Sequence, residues 1–462
     1  MELHSDSKSR LKIFLENPSK ALWSLAIPIM FGMGVQTLYN LVDMIFIGKL
    51  GGESIAGIAF NMPLFFLVLG LTMGLGTGVT ASIARFIGQE NKKEADNSAE
   101  HAIAMAMVIS IFLCLLGLMF GKTILSFFGA EGDILSIAWE YLHVMCIGMP
   151  FMIFSGFFRS ILAGEGDMKF PMMVAGLGTV LNIVLDPIFI FELENYGGIG
   201  FGLGVAGAAM ATVISQVIVF FVFIYMLFVK EHSYITFRLK DFSFSKVIIW
   251  DIVSVGLPAS LSMIVMAIGQ GVFNKILIYF SADTVAAYQV AGRLDMLVFL
   301  PIFSIAASLT TLVGMFYGAK EYDTLRFTIR YGILSAFFIT IISSSFIYFF
   351  ADFTVGFFTD DDLIISIAVS FLKLFSLVYP LIAIAITTGR VLQGLGEGLP
   401  VLIITIIRVL GVSAPLALFF IFYLAKPVEW VWYSMIISTI IAFIISMVWL
   451  FSTVGKLPKI KI

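Results

Sequence analysis

Charge is scarce in this sequence. Only 12% of its 462 residues are Asp, Glu, Lys or Arg, roughly half the share of about 25% in an average soluble protein. Histidine occurs four times and cysteine twice. Both thiols, Cys114 and Cys146, sit in apolar runs, so they make neither a disulfide framework nor a metal site. These shortages exclude a disordered chain, a nucleic-acid binder and nearly every soluble enzyme. What is abundant is apolar: 60% of residues are hydrophobic, 47 are Phe and 23 are Met, and the mean hydropathy is +1.05. The reading is an all-α polytopic membrane protein.

A helix needs about 20 mostly apolar residues to cross the hydrocarbon core. Twelve such stretches can be marked, near 18–48, 53–84, 96–120, 133–158, 169–191, 202–229, 246–280, 283–316, 327–350, 362–389, 397–424 and 428–454. None alternates with period 2, so a barrel is excluded and helices satisfy their own backbone groups in lipid. The first stretch is too long for a cleavable signal and has no small-residue cleavage site. Lys and Arg then give the orientation. Twenty of them fall in the N-terminal tail, the C-terminal tail and every second connection, against Lys49, Lys122 and Lys426 on the opposite side. Both termini are therefore expected in the cytoplasm.

The longest hydrophilic connection, about 230–246, lies at the midpoint. At an offset near 230 the halves repeat. Leu25-Ala26-Ile27-Pro28 matches Val255-Gly256-Leu257-Pro258, and Arg85-Phe86-Ile87-Gly88-Gln89 matches Met315-Phe316-Tyr317-Gly318-Ala319. Arg159 through Pro171 matches Arg390 through Pro400. The expected domains are an N-lobe over 1–229, a linker over 230–246 and a C-lobe over 247–462, each lobe with six spans. Six is even, so the repeats are parallel, a plan secondary transporters use with substrate between the halves.

Acids inside a span cost about 2.5–3.5 kcal/mol each at a helix centre and are candidates for function. Asp43 in the first helix and Asp186 in the fifth stand out. The other half places Phe273 or Asn274 opposite the first and Ala414 near the second, so the fold itself does not need these carboxylates. Gln36, Tyr39 and Asn40 share a helix face with Asp43, and Asn182 is one turn before Asp186. Pro187 removes a backbone donor beside Asp186, and Thr212 is the sixth-helix hydroxyl expected at the same cluster. Carboxylate, amide and hydroxyl oxygens suit a small hard cation such as Na⁺. Burial disfavours the charged form of a carboxylate, so the same acids could equally carry protons. That choice stays open. Met33 and Met173, with Met30, Met149, Met152, Met172 and Phe151, Phe154, Phe157 and Phe158, offer soft and aromatic surface for varied, cationic ligands. Tyr141 is read as a cavity-lining aromatic. His143, which shares a face with Trp139 and Glu140, is read as a packing residue with proton relay as the alternative. Arg293, Asp295, Lys373 and Arg408 are expected to pair with one another or with backbone carbonyls.

These residues are recognisable. Gln36-Thr37-Leu38-Tyr39-Asn40-Leu41-Val42-Asp43, Gly164-Glu165-Gly166-Asp167-Met168-Lys169, Leu181-Asn182-Ile183-Val184-Leu185-Asp186-Pro187 and Gly204-Val205-Ala206-Gly207-Ala208-Ala209-Met210-Ala211-Thr212 resemble the MATE (multidrug and toxic compound extrusion) family. The likeness covers nearly the whole chain and is strongest to the DinF-type branch of bacteria and archaea. It implies twelve transmembrane helices in two pseudo-symmetric six-helix lobes, and an antiporter that exports amphipathic, often cationic, drugs against inward Na⁺ or H⁺. It implies a cation site at Asp43, Asn182, Asp186 and Thr212. Gln36, Tyr39, Asn40 and Tyr141 match residues lining the N-lobe cavity, and Pro28 a proline at which the first helix bends. The chain departs from the NorM-type branch by carrying Gln270 and Asn274 where that branch has a seventh-helix acid. It also lacks the tenth-helix coupling acid, with Lys373 and Tyr379 the polar residues there. The segment 192–199 looks like an external insertion. Expected partners are small-molecule drugs and the lipid bilayer of a prokaryotic plasma membrane, with no nucleic acid, a monomeric state and no cofactor beyond the coupling ion. A flippase for lipid-linked substrates is the alternative. An intramembrane enzyme is disfavoured, since Glu140 and His143 make only one Glu-x-x-His pair and di-iron bundles need two.

Overall fold

The computed structural model describes residues 6–192, 200–237 and 242–458, apart from the side chains of 6–9, 40, 41 and 44. A short helix α1 (Asp6–Glu16) precedes the first long helix, α2 (Pro18–Gly48). The N-lobe continues with α3 (Gly52–Ala59), α4 (Met62–Gly88), α5 (Lys92–Phe127), α6 (Gly132–Gly164), α7 (Lys169–Ile190) and α8 (Gly204–Ile224). The C-lobe holds α9 (Lys246–Leu277), α10 (Ala282–Gly318), α11 (Tyr322–Gly356), α12 (Asp362–Ser376), α13 (Tyr379–Gly394), α14 (Leu399–Ile406), α15 (Ala414–Leu418) and α16 (Glu429–Gly455). Among the described residues eleven helices are long and apolar enough to cross a membrane, or twelve when α12 and α13 are taken as one bent span.

The helix starts are legible. Asn17 accepts from the Lys20 amide at 3.0 Å ahead of Pro18, Asn91 caps α5 and Ser245 caps α9, as expected of N-cap side chains and a first-turn proline. Three expected spans depart from a single regular α-helix. The second divides into α3 and α4 at Phe60–Asn61, where the Asn61 amide bonds Gly57 O at 3.1 Å and Ala138 O of α6 at 3.0 Å. The tenth bends by 60° between α12 and α13. Pro380 stands at the start of α13, where a missing backbone donor does no harm but would break a continuous helix. The eleventh passes from α14 through a π-helical turn into α15 at Pro415. The amphipathic α1 was not expected: its Leu11 and Phe14, three residues apart, are buried, and Phe14 lies against Gly166 and Met315.

The lobes meet at the end of the bundle where α2 begins and α16 ends, here called the terminal face. Contacts there obey the repeat. Gly88 of α4 leaves no room for a Cβ against Met315 O, and Gly318 of α10 none against Arg85 O, a pair related by the offset of 230. Arg85 is 7% exposed; it bonds Asp251 of α9 at 2.6 Å and Gly394 O at 3.3 Å. Thr311 bonds Ala163 O at 2.9 Å, and Arg390 reaches Thr77 at 2.8 Å.

The connection between the lobes is strapped to the N-lobe. Ser233 and the Tyr234 and Ile235 amides donate to Glu165, the Thr236 amide and hydroxyl to Asp96, and the Ser245 amide to His101. Arg10 and His232 both contact Asp167, at 3.3 and 3.0 Å. Burial pushes the Asp167 carboxyl up, but His232, Arg10 and the Phe170 amide outweigh it and hold it below the usual carboxylate range. Burial pushes Glu165 up despite its donors.

Candidate functional site

The fifth and sixth spans, α7 and α8, pack side by side, and α2 lies against α7. Gly32 permits that second contact: a Cβ there would collide with the Met172 sulfur. The three helices bring the expected cluster together. On α7, Asn182 is 4% exposed and Asp186 fully buried. Asn182 Nδ2 donates to Asp186 Oδ1 at 3.2 Å and lies 3.5 Å from Thr212 Oγ1 of α8. From α2, Asp43 and Tyr39 approach the same place, both half-buried. Asp43 and Asp186 feel each other's charge, Tyr39 shares a hydrogen bond with Thr212, and Tyr141 of α6 interacts with both acids.

Two atoms in this cluster lack partners. Among the described residues neither Asp186 Oδ2 nor Asn182 Oδ1 has a hydrogen bond, and both are buried. Buried polar atoms are nearly always satisfied, and each exception needs a reason. Here the two orphans belong to one helix turn and are both acceptors, so the site is short of something positive. Carboxylate, amide and hydroxyl oxygens are the donor set of a hard cation, and a proton on Oδ2 would meet the same need.

Further expected residues lie along α2, α6 and α7. Met33 turns its sulfur to Ser304 of α10, at 3.9 Å, so it sits in the seam between the lobes. Met173 is 63% exposed and Gln36 is exposed on α2. The Asn40 side chain and residues 193–199 of the expected insertion lie outside the described residues; beside the latter, Glu192 pairs with Phe201. Pro28 sits within an uninterrupted α2. His143 is exposed and stacks near Trp139, ring centroids 5.6 Å apart, which takes it away from the acids.

Among the described residues no bond joins Arg293, Asp295, Lys373 and Arg408 to one another, the first of the two expected arrangements. Lys373 bonds Asp352 at 3.0 Å on the surface. Asp295 accepts from the fully buried Tyr379 hydroxyl, because the bend between α12 and α13 swings Tyr379 against α10. Arg408 lies in the field of Tyr288, and Arg293 is exposed. Sequence reasoning could have found the Tyr379 contact only by placing Pro380 at a break.

Known proteins resemble this chain over most of its length. The MatE family profile matches residues 28–188 and 258–419, once in each lobe. The chain is 30% identical over 422 residues to "Probable multidrug resistance protein NorM" of Thermotoga maritima, covering 91% of this chain and 89% of that one. It is 28% identical to "Multidrug export protein MepA" of Staphylococcus aureus, covering 84% of each. Among solved structures, an outward-facing multidrug resistance MATE transporter of the MOP superfamily superposes with a TM-score of 0.89, at 35% identity and over 97% of this chain and 99% of that one. A MOP superfamily transporter from Pyrococcus furiosus matches with a TM-score of 0.91 at 35% identity, over 97% and 98% of the two chains. The profile match in both halves, with a relative and solved structures aligned along nearly the whole chain, shows that this chain belongs to the MATE family of membrane transporters.

Proposed function

We propose that the protein is a cation-coupled antiporter that exports amphipathic, often cationic, drugs, with Asp43, Asn182, Asp186 and Thr212 as the coupling site. The observation that carries this reading is the pair of orphaned acceptors, Asp186 Oδ2 and Asn182 Oδ1, beside a second acid. A buried and a half-buried carboxylate repel each other more strongly the lower the dielectric around them. A cation or proton arriving between them removes that repulsion and supplies the missing donor. Asp43 is carried by α2 and Asp186 by α7, so neutralisation changes how strongly those helices attract, and Pro28 gives α2 a place to bend. The cavity between α2, α7 and α8 then shrinks and releases drug.

The excess of Lys and Arg at the terminal face supports a cytoplasmic position for it. The interlobe contacts through Arg85, Gly88, Thr311 and Gly318 close that face, so this arrangement opens outward. Return to an inward-open form breaks the Arg85–Asp251 pair, releases the ion into the cytoplasm and admits new drug. The relatives named for multidrug resistance and export support a drug substrate. The protein is read as a monomer in a prokaryotic plasma membrane.

The test is efflux of a fluorescent organic cation from vesicles holding the purified protein, under an imposed Na⁺ gradient and then an imposed pH gradient. Efflux driven by either gradient supports coupling and names the ion. Equal leak with and without both gradients overturns it.

A further inference from the structure

The pseudo-symmetry gives the molecule two lateral seams between the lobes, α4 against α9 and α2 against α10, and they are not alike. In the α4–α9 seam a Cβ on Gly74 would overlap the Ser260 backbone, and one on Gly256 would lie 2.7 Å from Leu75 Cα. The backbones there touch. The corresponding positions of the α2–α10 seam are Met30 for Ser260, Ala26 for Gly256, Ser304 for Gly74 and Ile305 for Leu75. Three of these four side chains are larger than their counterparts; they hold the helices apart and leave a pocket of about 310 Å³, lined by Trp23, Ala26, Met30, Pro301, Ser304, Ile305 and Ile339.

The polar atoms of that lining are already committed. Trp23 Nε1 donates to the Tyr331 hydroxyl of α11 at 3.0 Å, and Ser304 Oγ to Leu300 O at 2.8 Å. A water molecule needs two to four polar partners, and an apolar cavity of about 150 Å³ already admits benzene. A space twice that size, among membrane-spanning helices, suits a hydrocarbon chain. Toward the terminal face, Lys20 stands one turn before Trp23 and Arg330 next to Tyr331, both exposed. Basic residues beside a gap between transmembrane helices attract anionic lipid headgroups.

We infer that the α2–α10 seam seats one acyl chain of an anionic phospholipid from the leaflet at the terminal face, with its headgroup held by Lys20 and Arg330. The chain touches both lobes at once, since Trp23, Ala26 and Met30 belong to one and Pro301, Ile305 and Ile339 to the other. It therefore binds the state in which the terminal face is closed and shifts the population toward it. The site is separate from the acid cluster, and its occupancy does not depend on which ion is coupled.

Trp23 reports on the pocket. The full chain is reconstituted in vesicles containing dibrominated phosphatidylglycerol in unbrominated phosphatidylcholine, and in the reverse mixture. The quenching lost on Trp23→Phe isolates the Trp23 signal. The expected result is stronger quenching by the brominated anionic lipid, with a preference of about fivefold for each basic residue. Lys20→Gln with Arg330→Gln should level the two mixtures, and Ala26→Phe should reduce quenching by both. Equal quenching by the two lipids in the unmodified protein, or none by either, overturns the assignment. Native mass spectrometry of the unmodified protein gives a second readout that needs no substitution. One phosphatidylglycerol surviving delipidation supports the seat, and its complete loss at the same rate as phosphatidylcholine overturns it.

Discussion

Each lobe holds an aspartate among its helices, and the two are treated differently. In the N-lobe, Asp186 keeps Oδ2 without a partner and faces a second acid, Asp43. In the C-lobe, Asp295 takes a hydrogen bond from Tyr379. Tyr379 is packed edge-on to Phe299, with centroids 5.6 Å apart, and an acidic partner comparable to Asp43 is absent among the described C-lobe counterparts Phe273 and Asn274. A satisfied carboxylate is a structural element; an unsatisfied one is an invitation to an ion. The fold is common to both lobes, so the difference between them isolates the chemistry.

That comparison can be broken in several places. The largest effect is expected for Asp186→Asn and Asp43→Asn. Each should bring drug resistance in expressing cells down to the level of cells without the protein, while membrane-fraction blots show normal amounts. Full resistance in both variants would sink the coupling site. Thr212→Ala removes one oxygen from the cluster and leaves both acids. Its hydrogen-bond partners, Asn182 and Tyr39, are neutral, so the loss is about 0.5–1.5 kcal/mol, and the ion concentration giving half-maximal efflux should rise roughly two- to tenfold at little cost to maximal rate. An unchanged half-maximal concentration would remove Thr212 from the site.

Arg85→Gln tests the closed end. It removes a charge-assisted bond to a partner that is about one-third exposed, so screening tempers the loss to roughly 1–2 kcal/mol. Spin-label distances across the terminal face should then show a larger inward-open population; an unaltered distribution would mean the pair is not a lock. Asp295→Asn sharpens the contrast between lobes. Tyr379 can still donate to the amide oxygen, so efflux should persist and melting in detergent should change by about 1 kcal/mol or less. Loss of efflux as complete as in Asp186→Asn would show that the C-lobe acid also couples. Lys373→Gln should do least, within about 0.5 kcal/mol, because its bond to Asp352 is exposed.

The acid cluster was legible because spans are scarce in charge. Asp43 and Asp186 could be picked out, and helical spacing put Tyr39 and Asn182 beside them. The contact of Met33 was not legible: its sulfur meets Ser304 of the other lobe, 271 residues away along the chain. Asp295 was misjudged for a related reason. Its sequence neighbours include Arg293, whereas its partner Tyr379 is 84 residues away, reached only through the bend ahead of Pro380. α1 left a signal in the spacing of Leu11 and Phe14, overlooked because the tail was read only for its charge.

By itself the sequence determined which stretches form apolar spans, the repeat and the two acids that one half has and the other lacks. These follow from periodicity and from the cost of charge in hydrocarbon, both of which act locally along the chain. Tertiary structure decided which polar atoms are satisfied and which are not, where Met33 and Tyr379 point, and why one seam closes on glycine while its counterpart keeps a pocket. Those outcomes depend on how closely two helices approach and how each is rotated. Both are set by packing across the bundle, where one methyl group more or less moves a backbone.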